Sequence, residues 1–90
     1  MSKTTTITNA LKTARCRATP INERWVFVND GATRFYLNTA SVKVSDLGLI
    51  KSDYTAFCDR TKAVHFDKLP KSAQRDARRE LGSDHETWGW

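Results

Sequence analysis

Cys58 and His65 are the two side chains of this sequence whose types and spacing could support nucleophilic catalysis. A thiol becomes a nucleophile when a neighbouring base takes its proton, and histidine titrates in the pH range that this requires. The run YTAFCDRTKAVHF has strand-favouring residues on both sides of the polar residues 59–62, which predicts a β-hairpin. In that hairpin Cys58 and His65 lie diagonally on one face. No third side chain is placed to orient the histidine, so we interpret both residues as structural.

A zinc site would have to draw on the cysteines and histidines of the chain, which are Cys16, Cys58, His65 and His85. None of them shows the close paired spacing of structural zinc sites. The glycines are isolated, so no glycine-rich loop can hold a phosphate, and the sequence has neither a GxSxG nor an HExxH motif. We therefore expect a non-enzymatic protein without a metal or cofactor. Its cysteines are expected to be reduced thiols that pack as small apolar residues.

Ninety residues with a net charge of +5 predict one small basic domain, spanning 1–90, in which 1–5 and 83–90 are candidate flexible tails. The longest apolar run is too short to span a membrane, and the N-terminal segment lacks the apolar core of a secretory signal. That segment also has the composition of a transit peptide, but its removal would leave only about seventy residues to fold. A cytoplasmic protein that does not enter the membrane is the simpler interpretation.

Two segments have the apolar periodicity of helices. Near the N-terminus the apolar residues fall on one helix face, at the spacing i, i+3, i+4, i+7. They are Ile7, Ala10, Leu11 and Ala14. Near the C-terminus the spacing predicts a helix over residues 70–81, which begins with a proline and ends before Gly82. Its apolar stripe consists of Leu69, Ala73, Ala77 and Leu81.

The middle of the chain is typical of β-structure. The runs RWVFVN and TRFYLN flank Asp30 and Gly31, which predicts an antiparallel hairpin of residues 24–29 and 32–38. The alternation of Val42 and Val44 predicts a further strand over 41–45. Together with the second hairpin these strands predict an α+β domain, in which an antiparallel sheet of about five strands is flanked by the two helices. A small β-barrel with flanking helices is the alternative.

The length of the turn at Asp30 decides which side chains share a face of the first hairpin. A two-residue turn places the aliphatic residues and Phe35 on one face, opposite an aromatic face that also carries an arginine. The first face is Val26, Val28, Phe35 and Leu37, and the second is Trp25, Phe27, Arg34 and Tyr36. A three-residue turn with a glycine bulge instead groups Trp25, Phe27, Phe35 and Leu37 as core. The sequence leaves the two registers open.

Aromatic residues and an arginine near them form the first candidate binding set, because Trp, Tyr and Arg are enriched where proteins bind partners. The set is Trp25, Arg34, Tyr36, Trp88 and Trp90. The last two belong to an acidic tail. That tail either enters a pocket of a partner or folds back over an edge or face of its own domain.

Basic residues of the two helices form the second candidate set, which could contact phosphates or an acidic protein surface. The set is Lys12, Arg15, Lys71, Arg75, Arg78 and Arg79. These side chains would form one patch if the two helices lie side by side. The alternative is a solvated helix face whose charge is moderated by Asp76 and Glu80.

We expect from these observations a small regulatory or inhibitory protein that binds a larger protein partner. In its small size, basic charge and lack of catalytic motifs, the chain is similar to accessory proteins encoded by phages, although no motif carries that likeness. A nucleic-acid-binding module that uses the basic helix faces is the alternative. The oligomeric state stays open.

Overall fold

A computed structural model describes residues 3–14, 16–61 and 63–88 of the chain. It has helices on both faces of a three-stranded antiparallel sheet, which confirms the predicted α+β class. The helices are α1 (Lys3–Thr13), α2 (Leu49–Ser52), α3 (Tyr54–Arg60) and α4 (Lys71–Leu81). The strands are β1 (Arg17–Pro20), β2 (Trp25–Asn29) and β3 (Arg34–Asn38), in the order β1-β2-β3. Two residues of the predicted binding sets, Arg15 and Trp90, lie outside the described residues.

The predicted hairpin is confirmed as β2 and β3, joined by the four residues 30–33. The turn is longer than either predicted alternative because the Asp30 side chain organises it. One carboxylate oxygen accepts hydrogen bonds from the backbone N–H groups of Ala32 and Thr33, at 2.9 and 2.7 Å. Gly31 adopts a φ of 89°, a left-handed conformation that glycine adopts without strain. A four-residue turn and a two-residue turn both contain an even number of residues. The same side chains therefore share each face of the hairpin as in the predicted two-residue turn.

The first hydrophobic core lies on the face of Val26, Val28, Phe35 and Leu37. Helix α1 covers this face through Ile7 and Leu11, which are one helical turn apart. Phe57 of α3 completes the layer and is fully buried. This face therefore holds α1, α2 and α3.

The second hydrophobic core lies on the opposite face of the same strands, where Trp25, Phe27 and Tyr36 are buried. Helix α4 covers them with its predicted stripe, which confirms the periodicity of that segment. The stripe is Leu69, Ala73, Ala77 and the partly buried Leu81. The alanines let the helix approach closely to the large aromatic rings.

Strand β1 is an edge strand that the sequence analysis missed. It is four residues long and ends at Pro20, which has no N–H to donate to a ladder. A short edge with a proline is poorly suited to pair with another chain. The opposite edge, along β3, is covered by two single-residue bridges, Tyr36 with Val64 and Arg34 with Trp88.

The predicted strand over 41–45 is wrong. The Asn38 side chain accepts a hydrogen bond from the backbone N–H of Ala40 and caps a 3₁₀ turn, Thr39–Ser41. The backbone groups that follow bond locally, as in the 3.2 Å bond from the Val42 N–H to the Thr39 carbonyl. Val42 is buried while Val44 is 74% exposed, so the two valines do not share one buried face of a strand.

The predicted second hairpin is also wrong, because its first half forms α3. Asp53 caps this helix by accepting a 3.2 Å hydrogen bond from the N–H of Ala56. The buried Phe57 and Thr61 are four residues apart, and Asp59 and Arg60 of the predicted turn lie in the last turn of the helix, while residue 62 lies outside the described residues. Only Val64 of the second half pairs with the sheet. The described sheet thus has three strands rather than five, and the barrel alternative is not confirmed.

Replacing the cap of α3, Asp53→Ala, should lower the free energy of unfolding by about 1 kcal/mol, because the Ala56 N–H loses its acceptor. Asp59→Ala is the matched control, since Asp59 is exposed in the same helix and belongs to no ion pair in the described part of the chain. Urea denaturation measures both. Equal effects of the two substitutions would contradict a helix that begins at Tyr54.

Candidate functional site

The chain that follows α4 folds back along β3. A 3₁₀ turn, Gly82–His85, reverses its direction, and the Tyr36 hydroxyl donates a 2.6 Å hydrogen bond to the His85 carbonyl. Further on, the Thr87 hydroxyl accepts a 2.9 Å bond from the backbone N–H of Phe66. Trp88 then exchanges backbone hydrogen bonds with Arg34, of 2.9 and 3.3 Å. These contacts fix the returning segment against the domain as far as Trp88.

Two arginines stack on aromatic rings along this segment. The Arg34 guanidinium carbon lies 5.3 Å from the centroid of the Trp88 ring, and that of Arg78 lies 5.1 Å from the centroid of Phe66. The His85 ring packs edge-on against Phe66 at 4.7 Å. Such cation–π pairs hold a guanidinium plane in place while leaving its N–H donors free to bind. We call these five residues the tail surface.

The two stacked arginines differ from the neighbouring Arg79 in their ion pairs. Neither Arg34 nor Arg78 forms an ion pair with an acidic side chain of the described residues. Arg79, by contrast, contacts Asp76 at 3.2 Å and Glu80 at 3.5 Å. The Arg34 Nε is buried and makes no hydrogen bond within the described part of the chain. The tail surface is therefore suited to an anionic group that can accept several hydrogen bonds.

The register of the three strands places a second set of hydrogen-bond donors beside the tail surface. Arg17 lies opposite Asn29, and Asn29 lies opposite Arg34, so one row crosses all three strands. Because directly opposed residues point to the same side of a sheet, the three side chains share a face. They line an open cleft of about 430 Å³, together with Asp30, Gly31 and Trp88. We call Arg17, Asn29 and Arg34 the arginine row.

The predicted aromatic set is divided by burial. Trp25 is 8% exposed and Tyr36 is fully buried beneath α4, where their rings contribute to the second core. Burial also raises the pKa of the Tyr36 phenol far above its ordinary value. Trp88 is 41% exposed, and its stacking partner Arg34 is half-buried. Of the predicted partner-binding set, these two residues reach the described surface together.

The predicted basic set is divided by the sheet. Helix α1 packs on the first core and α4 on the second, so Lys12 lies on the opposite side of the molecule from the basic residues of α4. The single patch that side-by-side helices would give does not form. On α4, Lys71, Arg75 and Arg78 are exposed and free of ion pairs with described residues.

Arg17 and Asn29 were not predicted as site residues. They become neighbours of Arg34 only through the pairing of β1 with β2, and β1 carries a weak strand signal because it is short and ends in a proline. The alternating pattern of β2 does place Asn29 at the end of the aromatic face. Predicting the arginine row would have required the pairing of β2 with the segment that ends at Pro20.

The Cys58–His65 pair loses its geometric basis because the hairpin that would have aligned it does not form. Cys58 lies on α3 and packs against the first core. Burial raises its pKa to about 11, although the nearby Tyr54 hydroxyl acts in the opposite direction, so the thiol is protonated at neutral pH. Burial likewise raises the pKa of Cys16. No three His, Cys, Asp or Glu side chains of residues 3–14, 16–61 and 63–88 are grouped to hold a metal.

No protein-family model, curated protein or solved structure matches this chain. Within the described ranges, the helices are too short or too polar to cross a membrane. The features that point to a function are therefore the tail surface and the arginine row.

Removing residues 83–90 should lower the free energy of unfolding by about 2–4 kcal/mol, because the Tyr36 hydroxyl and the backbone of Arg34 lose their hydrogen-bond partners. A chain that ends at Trp88 keeps these contacts and is the matched control. Thermal denaturation followed by circular dichroism compares the two. Unchanged melting of the shorter variant would show that residues 83–88 do not stabilise the domain.

Alkaline pH should destabilise the protein through Cys58. The folded state holds the thiol proton up to about pH 11, whereas the unfolded chain releases it near the ordinary value of 9.0. The free energy of unfolding should therefore be insensitive to this group at low pH and decrease as the pH rises through this interval. Cys58→Ala should make that decrease less steep, as measured by urea denaturation at a series of pH values. Identical slopes for the two proteins would contradict the burial of the thiol.

Proposed function

We propose that this protein is a small, non-enzymatic regulatory or inhibitory protein that binds an acidic segment of a larger protein through its tail surface. The observation that carries the proposal is the exposed Trp88 ring stacked on Arg34. Tryptophan and arginine are the residue types that most often dominate binding energy at protein interfaces. Here they are adjacent, and the arginine has no acidic partner among the described residues.

Preorganisation supports the same proposal. The backbone of Trp88 is paired with β3, and the Phe66 ring contacts both Arg78 and His85. Side chains that are already ordered lose little conformational entropy when a partner binds. A carboxylate of the partner could accept two parallel hydrogen bonds from either guanidinium, which gives direction as well as affinity.

The division of the basic residues favours a protein partner over a long nucleic acid. A duplex or extended strand gains affinity from many phosphate contacts along one continuous basic face. In this fold the sheet separates Lys12 from α4, and Arg79 is paired with acidic neighbours of its own helix. Recognition of a short acidic segment of a protein needs only the few arginines of the tail surface.

Two cysteines that are free thiols support a reducing compartment such as the cytoplasm. We place the binding reaction there. We propose inhibition as the simplest mode of action, in which the domain occupies a surface of its partner.

Charge reversal at the tail surface, Arg34→Glu with Arg78→Glu, should weaken partner capture more than about a hundredfold, since each arginine is expected to contribute at least tenfold. The measurement is affinity capture from lysate after nuclease treatment, with the captured partner then titrated by biolayer interferometry.

Lys12→Glu together with Lys51→Glu is the matched control, because both lysines are exposed and lie on helices of the opposite face. It introduces the same change of net charge and should leave capture intact. Equal losses in the two double variants would contradict the tail surface as the binding site. Loss of all capture after nuclease treatment would instead favour the nucleic-acid alternative.

A further inference from the structure

The arginine row brings together hydrogen-bond donors without matching acceptors. Adjacent strands are about 4.8 Å apart, so the Cα atoms of Arg17 and Arg34 lie about 10 Å from each other with Asn29 between them. The two arginine side chains line one cleft with Trp88, over whose ring the Arg34 guanidinium lies. Neither forms an ion pair with an acidic side chain of the described residues.

The amide of Asn29 is oriented by the turn that follows it. Its side-chain oxygen accepts a 2.9 Å hydrogen bond from the backbone N–H of Gly31. This bond assigns the oxygen and leaves the NH₂ group as the free part of the amide. The residues Arg17, Asn29 and Arg34 that line the cleft thus carry one free NH₂ group and two guanidinium groups, and the Nε of Arg34 is a buried donor without a partner among the described residues.

Asp30 is the acidic side chain in the lining of this cleft, and its acceptor atoms are occupied. One oxygen binds the N–H groups of Ala32 and Thr33, and the other accepts a 2.9 Å bond from the Thr33 hydroxyl. Burial acts to raise its pKa, but these hydrogen bonds outweigh that effect and lower it. The carboxylate therefore stabilises the turn, and the donors of the row remain available to an external anion.

Trp88 extends the same row by one position, because it pairs with Arg34 across the edge of β3. We propose that the row and this indole form a site for a nucleoside monophosphate, in which the arginine row binds the phosphate and Trp88 stacks on the base. Paired guanidinium groups suit the several acceptor oxygens of a phosphate. Stacking on an aromatic ring suits any base. The cleft of about 430 Å³ lies in the size range of small-ligand sites.

This site goes beyond the proposed protein interface, although the two share Arg34 and Trp88. Arg17 and Asn29 belong only to the nucleotide site, whereas Arg78 and Phe66 belong only to the tail surface. Substitutions at the unshared residues therefore separate the two activities.

Isothermal titration calorimetry of the full chain with adenosine 5′-monophosphate, adenosine and inorganic phosphate tests the site. The nucleotide should bind about tenfold more tightly than either part alone, because it uses the row and the indole together. Nucleotide binding no tighter than that of inorganic phosphate would overturn the proposal, as would binding of a glutamate-rich peptide in the absence of any nucleotide binding.

Arg17→Ala should weaken nucleotide binding about tenfold through the loss of a charged hydrogen bond. Arg24→Ala is the matched control, because Arg24 is an exposed arginine just before the other end of β2, and it should leave binding unchanged. Asn29→Asp retains the acceptor for the Gly31 N–H, replaces the donor by a negative charge and should abolish binding. Trp88→Ala should reduce the affinity for the nucleotide to that for phosphate. Equal affinities of the Arg17 and Arg24 variants would overturn the proposal.

The source of the nucleotide is distinguished by single-stranded oligonucleotides with and without a 5′-phosphate. Tighter binding of the phosphorylated strand than of the free nucleotide, with the same loss in Arg17→Ala, would assign the site to the end of a strand. Binding of the free nucleotide alone would assign it to a metabolite. Insensitivity of both ligands to Arg17→Ala would refute the site in either form.

Discussion

Strands β2 and β3 are buried on both faces, and each therefore supplies alternate side chains to two separate hydrophobic cores. The aliphatic residues and Phe35 face α1 and α3, while Trp25, Phe27 and Tyr36 face α4. A slip of one residue in the hairpin would exchange these sets and disrupt both cores at once. The hydrogen bonds of Asp30 that fix the turn at four residues thus support the whole arrangement.

The same burial determines where function can reside. Both faces of β2 and β3 are covered, so the positions that these two strands leave available are their ends and the edge of β3. The returning chain occupies that edge and carries Trp88 to Arg34. Aromatic and basic groups meet there because the turn end of the hairpin extends beyond the large rings of the second core. The tail surface and the arginine row are two consequences of this one geometry.

The arginines in and beside the tail surface differ in whether an acidic side chain pairs with them. Arg79 forms ion pairs with Asp76 and Glu80, whereas Arg34 and Arg78 stack on aromatic rings and form no ion pair with an acidic side chain of the described residues. A stacked guanidinium is held in place by the aromatic ring, so it does not need a carboxylate to fix its position. The net charge of +5 alone does not distinguish these roles.

Elements with local signals could be predicted from the residues alone. The hairpin follows from two β-rich runs around a turn, and α4 from an apolar stripe that ends at a glycine. The remaining elements depend on contacts with residues distant in the chain, which local signals do not specify. The segment at Phe57 has residues that favour strands, yet it is helical because that conformation buries Phe57 in the first core, and Thr61 is buried one helical turn later. Arg17 reaches Arg34, and Trp88 reaches the same row, only through strand pairings that span the length of the chain. Periodicity identifies a buried face but does not specify which other face covers it.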